Sequence, residues 1–93
     1  MAISTGHKKI KTAVFISGTG SNLKNLIKFS KQKTSPISIN LVISNNNYSK
    51  GLRFTKIFKI RKYVLDFKKK TLAEKKLLKI MKKNKIELIC LAG

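Results

Sequence analysis

The chain has 93 residues, of which 42% are hydrophobic, enough for one core and too much for a disordered tail. That length excludes a large multi-domain enzyme, since compact domains usually run from about 50 to 250 residues. Twenty-two Lys and Arg stand against three Asp and Glu, a formal charge of +19, and only Arg53 and Arg61 are arginines.

Residues 1–11 form a polar lead-in, and 12–93 read as one folded unit. Thr12 to Ser17 is short, apolar and β-branched before Gly18, which predicts a buried strand. Ser21 then opens a segment with Leu23, Leu26 and Ile27 at helical spacing, which breaks down before Pro36. Ile37 to Ser44 alternates and then runs apolar, predicting a second strand closed by the turn-forming Asn45-Asn46-Asn47. Ser49 is placed to cap a short helix carrying Leu52 and Ile57, and a third strand is expected around Tyr63-Val64-Leu65 with Asp66 at its exit.

Thr71 and Glu74 have capping-box spacing, in which hydroxyl and carboxylate each satisfy a backbone amide, so a helix is expected to start there. Ala73, Leu77, Ile80 and Met81 share one face of it, lysines take the other, and Asn84 is its expected stop. Ile86 to Ala92 closes the chain as a fourth strand, apolar enough to be buried on both faces. The order β-α-β-α-β-α-β predicts an α/β, Rossmann-like parallel sheet with helices on both sides. The closing strand has no helix after it, so the domain reads as truncated after its fourth strand.

The longest apolar run, Leu88 to Ala92, is far shorter than the roughly 20 residues of a membrane-spanning helix. The first residues contain no apolar stretch of the about 7 to 15 residues that a secretory signal carries, which makes a cytoplasmic location the expectation. One Cys and one His make neither an internal disulfide nor a structural zinc site, so no metal is expected. Cys90 is expected to be an inert core thiol.

The segment Gly18-Thr19-Gly20-Ser21-Asn22-Leu23 joins a buried strand to a helix, the context of an anion cradle in which helix N-terminal amides point at a phosphate. Ser21 and Asn22 can add side-chain donors. A Walker A loop requires a Lys-Ser/Thr pair that is lacking, and the dinucleotide fingerprint requires a third glycine where Leu23 stands. The second strand ends in Asn45 and Asn46 instead of a ribose-binding acid. The reading is phosphate binding without NAD or ATP, and its structural alternative is a tight strand-to-helix turn capped by Ser21.

Val14 to Leu23, with Val42-Ile43-Ser44-Asn45 and Leu91-Ala92-Gly93, resembles the N-terminal half of phosphoribosylglycinamide formyltransferase, the folate-dependent enzyme of purine synthesis. The resemblance covers roughly residues 12 to 93. It implies that Gly20, Ser21 and Asn22 bind the phosphoribosyl part of glycinamide ribonucleotide, with Gly18, Thr19 and Gly93 as weaker members of the substrate loops. It also implies 10-formyltetrahydrofolate as co-substrate, and formyl transfer to the amine through a tetrahedral intermediate. The family's catalytic Asn, His and Asp are expected beyond Gly93. His7, in the lead-in, and Asp66, at the exit of the third strand, match neither role. On the folate side the family's arginine is met by Lys70, which keeps the charge and loses the bidentate fork. The chain alone is therefore expected to be inactive, with a complementary C-terminal half as its implied partner.

The lysine excess raises a second class of function, a basic nucleic-acid-binding module, and a third, a stand-alone phosphate-binding module. Neither an arginine-based readout nor a recognisable ribonucleoprotein motif is present, so nucleic acid is expected to bind only non-specifically. The helical lysines read as a solvated face, and the basic helices spend their apolar sides on the sheet, which argues against membrane attachment.

Overall fold

The computed structural model describes residues 8–17 and 21–92. Strand β1 (Ile10–Ile16) leads to helix α1 (Ser21–Ser30) and strand β2 (Ile37–Ser44). A 3₁₀ turn (Lys50–Leu52) and the short helix α2 (Arg53–Ile57) lead to β3 (Arg61–Val64), followed by α3 (Lys70–Lys83) and β4 (Leu88–Leu91). The four strands form one parallel sheet in the order β3-β2-β1-β4. This is the α/β, Rossmann-like arrangement that the element order predicts.

Side-chain alternation divides the core in two. Val14, Ile16 and Val42 face Leu23, Ile27, Leu52 and Phe54 from α1 and the α2 region. Ala13, Leu41 and Ile43 face the other way, onto Leu65 and Ala73, with Leu77, Ile80 and Met81 of α3 half-buried against them. Two crossovers thus lie on one face and the third on the other, as uniform right-handed connections require when the chain reverses direction across the sheet. Leu23 and Ile27 are fully buried, and truncating either to Ala costs about 2–5 kcal/mol.

β2 has the predicted bounds, and it contains a bulge: Thr12 pairs with Ile39 and Ala13 with Leu41, leaving Asn40 out of register. The Asn40 side chain compensates by accepting hydrogen bonds from the Thr12 amide at 3.2 Å and the Ser38 hydroxyl at 2.8 Å.

Five expectations are corrected. β1 opens at Ile10, two residues before Thr12, because the Ile10 amide finds the Pro36 carbonyl at 2.8 Å. The capping box does not form: α3 starts one residue earlier, with Lys69 at the N-cap and no side-chain cap, and Thr71 lies inside the first turn. Among the described residues β4 pairs only with β1, so Leu88, Ile89 and Leu91 are exposed, Leu91 to 83%. Cys90 on the same strand is half-buried, and Leu52 at the end of the 3₁₀ turn is buried where Ile57 of α2 is exposed.

Candidate functional site

In an open parallel sheet, ligands bind beyond the carboxyl ends of the strands at the point where the strand order reverses. Here that point lies between β1, whose chain continues toward β2, and β4 on its other side. β1 ends at Ile16 and α1 begins at Ser21, while the end of β4 is tied in by the Ala92 amide donating to the Phe15 carbonyl at 2.9 Å. Of the residues that the sequence points to, Gly18, Thr19, Gly20 and Gly93 lie outside the described residues, as does His7.

Ser21 and Asn22 are both exposed in the first turn of α1. Leu23 and Ile27 anchor the helix on Val14, Ile16 and Val42, so its first turn is held at the end of β1. No acidic residue stands in that turn and Lys28 stands in the last, so no carboxylate competes for the helix-end amides. The helix dipole favours an anion there by roughly 0.3–1 kcal/mol, leaving direct hydrogen bonds to supply most of any affinity.

Beside this turn runs an open groove of about 440 Å³ between α1 and β4. Asn22, Asn25, Leu26 and Phe29 form its helical wall, and Cys90, Leu91 and Ala92 its strand wall. The groove is apolar apart from two carboxamides, which lie near the α1 start. Asn25 and Phe29 were not anticipated as site residues. Their signal was available: positions 22, 25, 26 and 29 repeat at i, i+3, i+4 and i+7, one stripe of a helix next to its buried stripe.

Lys70 is the exposed first residue of α3, on the opposite face of the sheet from α1, and it does not line this groove. Asp66 builds the turn before α3: its carboxylate accepts from the Lys68 amide at 3.0 Å and its carbonyl from the Lys69 amide at 3.1 Å. Among the described residues no three His, Cys, Asp or Glu side chains come together as a metal site would require. Tyr63 on β3 has its hydroxyl pKa lowered by hydrogen bonding to Asn84, then by Arg61 and Lys83, with burial opposing, but it lies on the far edge of the sheet.

A parallel β3-β2-β1-β4 sheet with a helix start facing its switch point places the chain in the doubly wound α/β class. Within that class the chain belongs to the formyl transferase family, whose profile matches residues 10–93. It is similar to trifunctional purine biosynthetic protein adenosine-3 of Gallus gallus, at 41% identity over 88 residues, and to that of Homo sapiens, at 34% over 89 residues. These matches take in 91% and 92% of this chain and 9% of each relative. Among solved structures, phosphoribosylglycinamide formyltransferase from Brucella melitensis superposes with a TM-score of 0.86 at 31% identity, covering 92% of this chain and 46% of that one. The enzyme from Anaplasma phagocytophilum gives 0.81 at 34%, covering 92% and 40%. The chain therefore spans less than half of these solved relatives and about a tenth of the curated ones. Among the described residues no helix is long and apolar enough to cross a membrane.

Proposed function

We propose that this chain is the phosphoribosyl-binding part of a glycinamide ribonucleotide formyltransferase of purine biosynthesis, acting in the cytoplasm with 10-formyltetrahydrofolate as co-substrate. The observation that carries the reading is the placement of Ser21 and Asn22 in the first turn of α1, at the switch point and beside the end of β4, in a chain of the formyl transferase family. In this reading Gly20, Ser21 and Asn22 hold the phosphoribosyl group, with Gly18, Thr19 and Gly93 as weaker members of the substrate loops. Lys70 contributes only charge on the folate side.

Formyl transfer requires a donor to orient the attacking amine and groups to stabilise the tetrahedral oxyanion. The Asn, His and Asp that family resemblance implies for this work match no position among these residues. A complementary C-terminal half supplies them, packing on the groove walled by Phe29 and Leu91. These 93 residues alone then bind substrate without turning it over.

Calorimetric titration with glycinamide ribonucleotide, alongside an assay of formyl transfer, tests both parts. Saturable binding is expected, weakened in Asn22→Ala by about 1–3 kcal/mol, the usual cost of losing a charge-assisted hydrogen bond. Equal affinity in the variant contradicts the site, and turnover by the chain alone contradicts its dependence on a second half.

A further inference from the structure

The first carboxylate in the chain is Asp66, so every charged side chain before it is cationic. Several of these converge on a depression of about 520 Å³ away from the α1–β4 groove. Lys50, Arg53 and Lys56 come from the 3₁₀ turn and α2, and Lys62 from β3, with Asn47 as a neutral neighbour. Four like charges around one concavity repel one another, and an anion between them relieves that repulsion. Arg53 is partly ordered in advance: its guanidinium lies 4.8 Å from the ring centroid of the buried Phe54. The depression at the start of α3 differs, since Asp66 stands among its lysines.

An exposed aromatic residue adjoins the lining of the depression in sequence. Tyr48 is 88% exposed and follows Asn47, which lines the depression. Its backbone is held in an ordered turn, the Tyr48 amide donating to Asn46 Oδ1 at 2.8 Å and the Asn46 amide to Ser44 Oγ at 3.1 Å. A cationic depression with an exposed ring one residue along the chain from its lining has the components that recognise single-stranded nucleic acid, whose unpaired bases offer a face for stacking. A duplex keeps its bases stacked inside, and a simple polyanion gives the ring nothing to do.

We propose that this depression binds single-stranded nucleic acid, with Tyr48 stacking on a base while Lys50, Arg53, Lys56 and Lys62 neutralise successive phosphates. The site is independent of the substrate reading, because no residue is shared with the α1–β4 groove. It supplies a location where composition alone gives only diffuse attraction.

Fluorescence polarisation with a labelled oligouridylate tests it across a salt series, on the purified chain shown by circular dichroism to be folded. The triple variant Lys50→Gln, Arg53→Gln, Lys56→Gln is expected to lower the slope of log affinity against log salt by about 2, at about 0.7 per lost phosphate contact on a single strand. Tyr48→Ala is expected to bind at least about fivefold more weakly, and Tyr48→Phe to bind as the parent does. The control triple Lys75→Gln, Lys76→Gln, Lys79→Gln removes the same charge from α3 and is expected to change the slope less. Equal losses in the two triples, an unaltered affinity in Tyr48→Ala, or equal affinity for duplex or heparin would each overturn the proposal. Melting curves of every variant separate lost binding from lost folding.

Discussion

At the residue scale, the chain turns out of two helices on lysines in the left-handed region, Lys59 at φ 55° and Lys85 at φ 53°. Around Lys59 the Ile60 amide returns to the Thr55 carbonyl at 2.7 Å and the Lys59 amide to the Lys56 carbonyl at 3.3 Å. Around Lys85 the Ile86 amide returns to Met81 at 3.0 Å and the Lys85 amide to Lys82 at 3.2 Å. Both are Schellman closures, which glycine fills without the Cβ penalty that lysine incurs. Lys59→Gly and Lys85→Gly are each expected to stabilise the fold by about 0.5–1 kcal/mol, read as a higher urea midpoint, and an unchanged midpoint would contradict the assignment. The lack of glycine at these positions is also why the end of α2 was not legible in the sequence. The end of α3 was legible through Asn84, whose side chain donates to the Ile80 carbonyl at 2.8 Å. In the candidate site, Ser21 and Asn22 stood out by following a glycine turn. Asn25 and Phe29 did not, because their helical stripe carries no motif and gains meaning only beside β4.

At the element scale, α3 begins on a residue poorly suited to begin it. Lys69 at the N-cap offers no acceptor to the first-turn amides and puts a cation at the positive end of the helix dipole. Lys69→Asp is expected to stabilise by about 1 kcal/mol, and Thr71→Ala to leave stability nearly unchanged. The reverse outcome in thermal melts would restore the capping box that Thr71 and Glu74 suggest. That box was misread because its spacing recurs inside helices, where the Thr hydroxyl has no cap to make. β4 was misread for a different reason. An apolar run such as Leu88 to Leu91 normally has strands or helices on all sides, and among the described residues it pairs only with β1. Unpaired edge strands with exposed apolar side chains invite association. The double variant Ile89→Lys, Leu91→Lys is therefore expected to reduce self-association in sedimentation experiments without lowering the melting temperature. Persistent association would place the contact elsewhere.

At the scale of the whole molecule, element order was legible because Gly18 and Gly20, Pro36, Asn45 to Asn47 and Asn84 bound four of the six switches of hydrophobic period. The sheet order β3-β2-β1-β4 was not legible, because right-handed crossovers are compatible with more than one strand order. The charge of +19 acts on this scale too, through self-repulsion that salt screens. As the Debye length falls from about 30 Å at 0.01 M to about 8 Å at 0.15 M, the melting temperature is expected to rise, and a flat profile would show that the lysines are too well solvated to oppose folding. Fold, family and switch point together support one assignment, substrate binding where α1 begins beside β4. Its most direct test is amide chemical-shift mapping of the folded chain titrated with glycinamide ribonucleotide at moderate salt. The expected result is saturable shifts confined to Ser21–Asn25 and Cys90–Ala92, with Lys75–Lys79 unmoved. Shifts spread evenly over the lysine-rich surfaces, or no shifts at all, would contradict it.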